Sequence, residues 1–161
     1  MAQRPDPVAP ADDAARAQAR ALLALPHAAL AFRDPEEGSP GISRIAFGLG
    51  HDGQMLTLIS ALAVHHAALR ADPACALLLG EPGPKGDPLI HPRLMIRATA
   101  GFVTDPDDRS SLRAAWLTTH PKARLYIDFA DFAFVRFTPV SLLLNGGFGK
   151  AFRLMPGDLS Q

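Results

Sequence analysis

Polar and apolar positions change rhythm several times along the chain, and each change marks a boundary. From Asp12, Ala15, Ala19, Leu22 and Leu23 recur at helical spacing until Pro26, with Asp12 and Asp13 suited to the helix start. The compact apolar segment 27–33 predicts a strand, ended by the turn-rich run Asp34-Pro35-Glu36-Glu37-Gly38-Ser39-Pro40-Gly41. Residues 42–49 alternate, placing Ile45, Phe47 and Leu49 on one face and Arg44, Ala46 and Gly48 on the other. Gly50-His51-Asp52-Gly53 then turns the chain into a second strand over 54–60, and the two form a hairpin. A short helix over 62–69, a strand over 74–80, a Pro- and Gly-rich loop over 81–92 and a strand over 93–103 follow. Asp105-Pro106-Asp107-Asp108 opens a helix carrying Leu112, Ala115 and Trp116, and strands over 132–138 and 140–145 close the series.

Strands that follow one another through hairpins exclude a doubly wound parallel sheet. The expected fold is mainly β with flanking helices, an antiparallel barrel whose closure hides its strand edges. Residues 1–11, with three prolines among small and charged residues, read as a disordered leader, 12–155 as the domain and 156–161 as a flexible tail.

Composition narrows the function. Sixteen Lys and Arg balance sixteen Asp and Glu, so the basic excess that drives nucleic-acid binding is missing. No apolar run reaches the length of a membrane span or a secretory signal, and the reading is cytoplasmic, without a membrane partner. Cys75, the single cysteine, reads as core. None of the six histidines has the spacing of a zinc motif, so no metal site is expected. A nucleophile elbow is absent, and Gly48-Leu49-Gly50 is followed by a strand instead of the helix a dinucleotide loop requires.

Two constellations carry chemistry. Ser60 ends a strand and His65 and His66 open the next helix, while Arg44 stands on the preceding strand among small neighbours. A hydroxyl, imidazoles, helix-start amides and a guanidinium suit an anion such as a phosphate. The plainer alternative is a solvated arginine and an exposed helix start. Near the end, Gly146-Gly147-Phe148-Gly149 brings backbone close to some neighbour, with Lys150 and Arg153 free for an anion, or else forms a simple turn.

The blocks Ser60 to Pro73, His91-Pro92-Arg93-Leu94, His120-Pro121 through Asp131-Phe132, and Gly146-Gly147-Phe148-Gly149-Lys150-Ala151 together resemble the pyridoxamine 5'-phosphate oxidase-related flavin-binding proteins, in particular their haem-utilisation branch. The resemblance spans residues 14–154 and implies an FMN-binding split β-barrel, a homodimer with two cofactor clefts at its interface. It assigns Arg44, Ser60, His65, His66, Arg93 and Lys150 to cofactor binding and names no catalytic residue. His66 and Ala68 stand where the branch carries Thr and Asn, and Leu94 where oxidases of the wider family place a glutamine. Three functions follow: a flavin-dependent oxidoreductase of unknown substrate, a haem-binding or haem-utilisation protein, or a barrel that binds a partner without cofactor.

Overall fold

The computed structural model describes residues 6–159. Nine strands and three α-helices follow in the order β1 (Val8–Pro10), α1 (Asp13–Leu23), β2 (His27–Arg33), β3 (Pro40–Ala46), β4 (Gly48–Leu49), β5 (Met55–Ser60), α2 (Val64–Ala71), β6 (Ala74–Leu79), β7 (Arg93–Phe102), α3 (Pro106–Thr119), β8 (Phe132–Asn145) and β9 (Ala151–Leu154). Local chemistry explains the helix starts. Asp12 accepts the Ala15 amide at 2.7 Å, and Asp105 accepts that of Asp108 at 2.8 Å, each satisfying an amide that the first helical turn leaves without a partner.

The strands make one sheet in the order β1-β9-β8-β7-β6-β2-β3, with β5 paired to the first half of β8 and β4 to β5. Apart from the parallel β1–β9 pair, the pairings are antiparallel. Alternation along each strand sends Leu30, Ile45, Phe47, Leu77, Leu79, Leu94, Ile96, Leu142 and Leu144 inward to one core. A second core, of Leu56, Leu58, Leu112, Trp116, Ile127 and Phe134, joins α3 to the outer side of β5 and β8. The sheet curls as a split barrel. Where β3 and β5 come together, the buried Thr57 hydroxyl donates to the Ala46 carbonyl at 2.7 Å in place of ladder bonds.

Several expectations change. Residues 1–5 of the expected leader lie outside the described residues, but Val8–Pro10 pair with Ala151–Arg153 as a strand. The end of the chain, expected to be flexible, is a 3-10 turn over Pro156–Leu159. Asp158 there takes the Arg16 guanidinium at 2.9 Å and the Met155 amide at 2.7 Å; residues 160–161 lie outside the described residues. The alternating run 42–49 breaks at Phe47, so Leu49 is exposed instead of continuing the inward face. The two expected final strands are one, Phe132–Asn145, in which Pro139 sits at a register shift against Arg97 and Ala98. Gly48 is needed for packing: a Cβ there would meet the Trp116 ring at 3.1 Å and the His120 ring at 3.2 Å.

Candidate functional site

Period-two alternation gives β2, β3 and β6 an outward face that the core does not use. His27, Ala29 and Ala31 of β2, Ile42 and Arg44 of β3, and Ala76 and Leu78 of β6 share it. The register aligns Arg44 with Ala29, Leu78 and Met95 in one row, and Ile42 with Ala31, Ala76 and Arg97 in the next. The result is a strip of small and aliphatic side chains on which Ile42 is 75% and Leu78 42% exposed. A cleft of about 740 Å³ runs along its far end, floored by Ala31, Ala74 and Ala76 and flanked by Arg33 and Arg97. At the near end the Arg44 guanidinium is 75% exposed and shares the Glu81 carboxylate with His27, at 3.5 Å and 3.3 Å.

The other expected anion ligands are arranged differently. Arg44 is laddered to Ala29 of β2 and Ser60 to Phe132 of β8, so no register joins the two. The Ser60 hydroxyl donates to Asp131 Oδ2 at 2.6 Å and accepts the Leu62 amide at 3.1 Å. A phosphate at this hydroxyl would face a carboxylate. His65 and His66 diverge: one ring lies 6.1 Å from Phe32 of β2, the other packs edge-on 4.9 Å from Phe102 of β7. Burial, and then His66 beside it, hold His65 below the ordinary imidazole value. Burial, and then Arg70, lower His66. Both side chains therefore favour the neutral form, which is poor as an anion's counter-charge and suited to coordination.

Arg93 lies three strands from Arg44 and two residues off its row, about 16 Å measured along the sheet, with its guanidinium on the Leu89 and His91 carbonyls at 3.1 Å and 3.4 Å. Lys150 is exposed in the turn between β8 and β9, beyond β7 in the strand order. Within one chain, then, Arg44 turns to Glu81 and Ser60 to Asp131, while Arg93 and Lys150 stand on β7 and in the β8–β9 turn. Ala68 and Leu94, the apolar departures from the family pattern, are fully buried in the core and face no ligand. Sequence reasoning missed His27, Glu81 and Asp131. The phase of His27 with the small Ala29 and Ala31 was a usable signal; no local pattern pointed to the two acids.

A family model described as pyridoxamine 5'-phosphate oxidase matches residues 15–145. The chain belongs to the pyridoxamine 5'-phosphate oxidase family. The curated relative HOZ, a chloroplastic heme oxygenase of Arabidopsis thaliana, is 34% identical over 130 residues, 81% of this chain and 39% of its own. This chain thus spans well under half of that relative. A solved chain of 45% identity superposes with a TM-score of 0.82 over 92% of this chain and 97% of its own. A heme binding protein from Mycobacterium smegmatis, 25% identical, superposes with a TM-score of 0.81 over 92% of this chain and 61% of its own.

Within this family frame, the residues can be tested against the two cofactors. A flavin phosphate needs converging donors, but here the Ser60 hydroxyl is committed to Asp131 and both helix-start imidazoles favour the uncharged state, which leaves Arg44, paired with Glu81 but 75% exposed, to meet an anion, phosphate or propionate alike. That donor set does not fit a phosphate well. Haem asks for an apolar slot, an imidazole and cations for its propionates, and the strip offers these in Ala29, Ala31, Ala76 and Leu78, in His27, and in Arg44. The Glu81 carboxylate at 3.3 Å suits a protonated His27 Nε2 and leaves Nδ1 as the free lone pair. The donor set fits haem.

Proposed function

We propose that this protein binds haem and serves in haem utilisation. The observation that carries this reading is the outward strip itself, which joins an apolar surface, the His27 imidazole and the Arg44 guanidinium on one face of β2, β3 and β6. It is supported by the similarity to HOZ, a heme oxygenase, and to the heme binding protein of Mycobacterium smegmatis, where family membership alone leaves flavin equally open. Arg44 would hold a propionate, His27 would offer the iron an imidazole, and the alanines and Leu78 would give the ring an apolar surface. Bound haem would supply a redox-active iron centre.

A strip this exposed covers one side of a planar ring, so a second copy of the chain completes the site as a homodimer. Arg93 and Lys150, set off from Arg44 within one chain on β7 and in the β8–β9 turn, enter the shared cleft from the second copy. Ser60, His65 and His66 then border the cleft instead of gripping a phosphate.

The test is titration of the purified protein with haemin and, separately, with FMN, followed by absorption. A saturable Soret band is expected, weakened about tenfold in Arg44→Ala, since a charge-assisted hydrogen bond is worth roughly 1.5–3 kcal/mol before solvent screening. The band position should change in His27→Ala. Saturable flavin bands without a Soret band would return the reading to FMN, and silence with both ligands would leave a cofactor-free binding module. Sedimentation as a monomer would remove the shared cleft.

A further inference from the structure

Glu81 stands at the start of the loop between β6 and β7, and one of its carboxylate oxygens, Oε1, lies 3.3 Å from His27 Nε2 and 3.5 Å from an Arg44 terminal nitrogen. The backbone puts it there. Gly80 takes a left-handed φ of +111°, and a Cβ at this position would come 2.5 Å from the Pro92 carbonyl, so the chain makes a turn that only glycine allows before reaching Glu81. Arg93 does not compete for the acid, because its guanidinium is tied to the Leu89 and His91 carbonyls.

We infer that Glu81 is a specificity-determining residue of the site proposed above, an acid of the same chain that occupies Arg44 when no ligand is bound and yields it only to a ligand carrying its own oxyanion. The inference rests on the haem reading for the identity of the ligand but not for the contact itself. A carboxylate or phosphate replaces Glu81 at the guanidinium with an equivalent charge-assisted bond. A neutral planar molecule would have to displace Glu81 with nothing to offer Arg44 in return, and is selected against. Arg44 is 75% and Glu81 57% exposed, so the effect is that of a solvated ion pair, about 1.5- to 5-fold in a binding equilibrium.

Glu81→Gln keeps the side chain's size and removes its charge. In the ligand-free protein, phenylglyoxal modification of Arg44, mapped by mass spectrometry, should accelerate about 2- to 5-fold, and inorganic phosphate should protect Arg44 at lower concentration than in the parent. Haemin affinity should rise by a similar factor, and the gain should vanish in the Arg44→Ala background, as a double-mutant cycle requires. If the parent protein binds no haemin while Glu81→Gln still speeds Arg44 modification, the haem reading fails and the role of Glu81 stands. A gain for FMN in place of haemin identifies a phosphate as the displacing group. Unchanged Arg44 reactivity in Glu81→Gln, or an equal affinity gain with and without Arg44, overturns the inference.

Discussion

Thr57 offers the sharpest test of how this barrel holds the site together. Its hydroxyl donates to the Ala46 carbonyl at 2.7 Å, and the residue is fully buried where β3 meets β5. Thr57→Val keeps the shape and replaces the hydroxyl with a methyl. The gain is burial of one extra apolar group, about 0.8 kcal/mol. The loss is the hydrogen bond, about 0.5–1.5 kcal/mol net, and up to about 3 kcal/mol if the carbonyl is left dry. Thr57 is fully buried, so the dry end of that range applies, about 2–3 kcal/mol lost against about 0.8 gained, and the variant should be destabilised by about 1–2 kcal/mol, lowering Tm by about 2–8 °C for a chain of this size. Urea unfolding should show a lower midpoint at unchanged slope. Amide exchange should rise most across residues 44–47, because β3 loses its tie to β5. Thr57→Ser, which keeps the bond, should leave that exchange pattern intact. A Thr57→Val protein as stable as the parent would refute the reasoning and place the closure in the packing of Ile45 and Phe47.

Three ionisable groups away from Thr57 carry further expected outcomes. Asp108 is held below the ordinary carboxylate value by its hydrogen bonds to Arg136, at 2.6 Å and 2.5 Å. A depressed carboxylate stabilises the fold above its unfolded value of 3.8 and loses that contribution as pH falls through its lower folded value, so Arg136→Gln should destabilise at pH 7 and the difference should shrink below pH 3.8; a constant difference would refute this. His65 is lowered from 6.5 by burial and by His66, so the unfolded chain takes up the proton first and stability should fall as pH drops below 6.5; His65→Phe should flatten that slope, and a fold that strengthens on acidification would contradict it. Burial, aided by Asp72, pushes the Cys75 thiol up to about 11, so a thiol reagent at pH 8 should react about a hundredfold more slowly with it than with a free cysteine, and reaction at the free rate would place this thiol outside the core.

What the sequence made legible was whatever repeats locally. The caps of α1 and α3 and the inward phase of Ile45 rest on neighbours within a few residues, whereas the hairpin expected between 42–49 and 54–60 survives only as the Gly48–Leu49 pair, because Ile42–Ala46 ladder with β2. β1 and β9 were missed because three and four residues are too short to show alternation, and Val8 meets Ala151 only after the rest of the sheet has formed. Pro139 looked like a strand end, since proline removes a ladder donor; the register shift opposite Arg97 and Ala98 absorbs it and β8 continues. The exposed Leu49 has a similar cause, as the break at Phe47 resets a two-residue period that the letters alone carry straight through.

The site was half legible for a physical reason. A cation announces itself by its own side chain, so Arg44 could be placed from strand phase alone, and Ser60 from the end of its strand. Whether such groups are available to a ligand depends on which acids the fold delivers to them, and those come from far away. Asp131 reaches Ser60 across 71 residues, and Glu81 reaches His27 across 54. A cluster of donors in the sequence is therefore an upper bound on an anion site, and the internal carboxylates set how much of it remains open. Here they close the serine arm and guard the arginine. An apolar strip with an imidazole and a shared guanidinium is what is left, and it is on that remainder that the proposal of a propionate-bearing macrocycle rests.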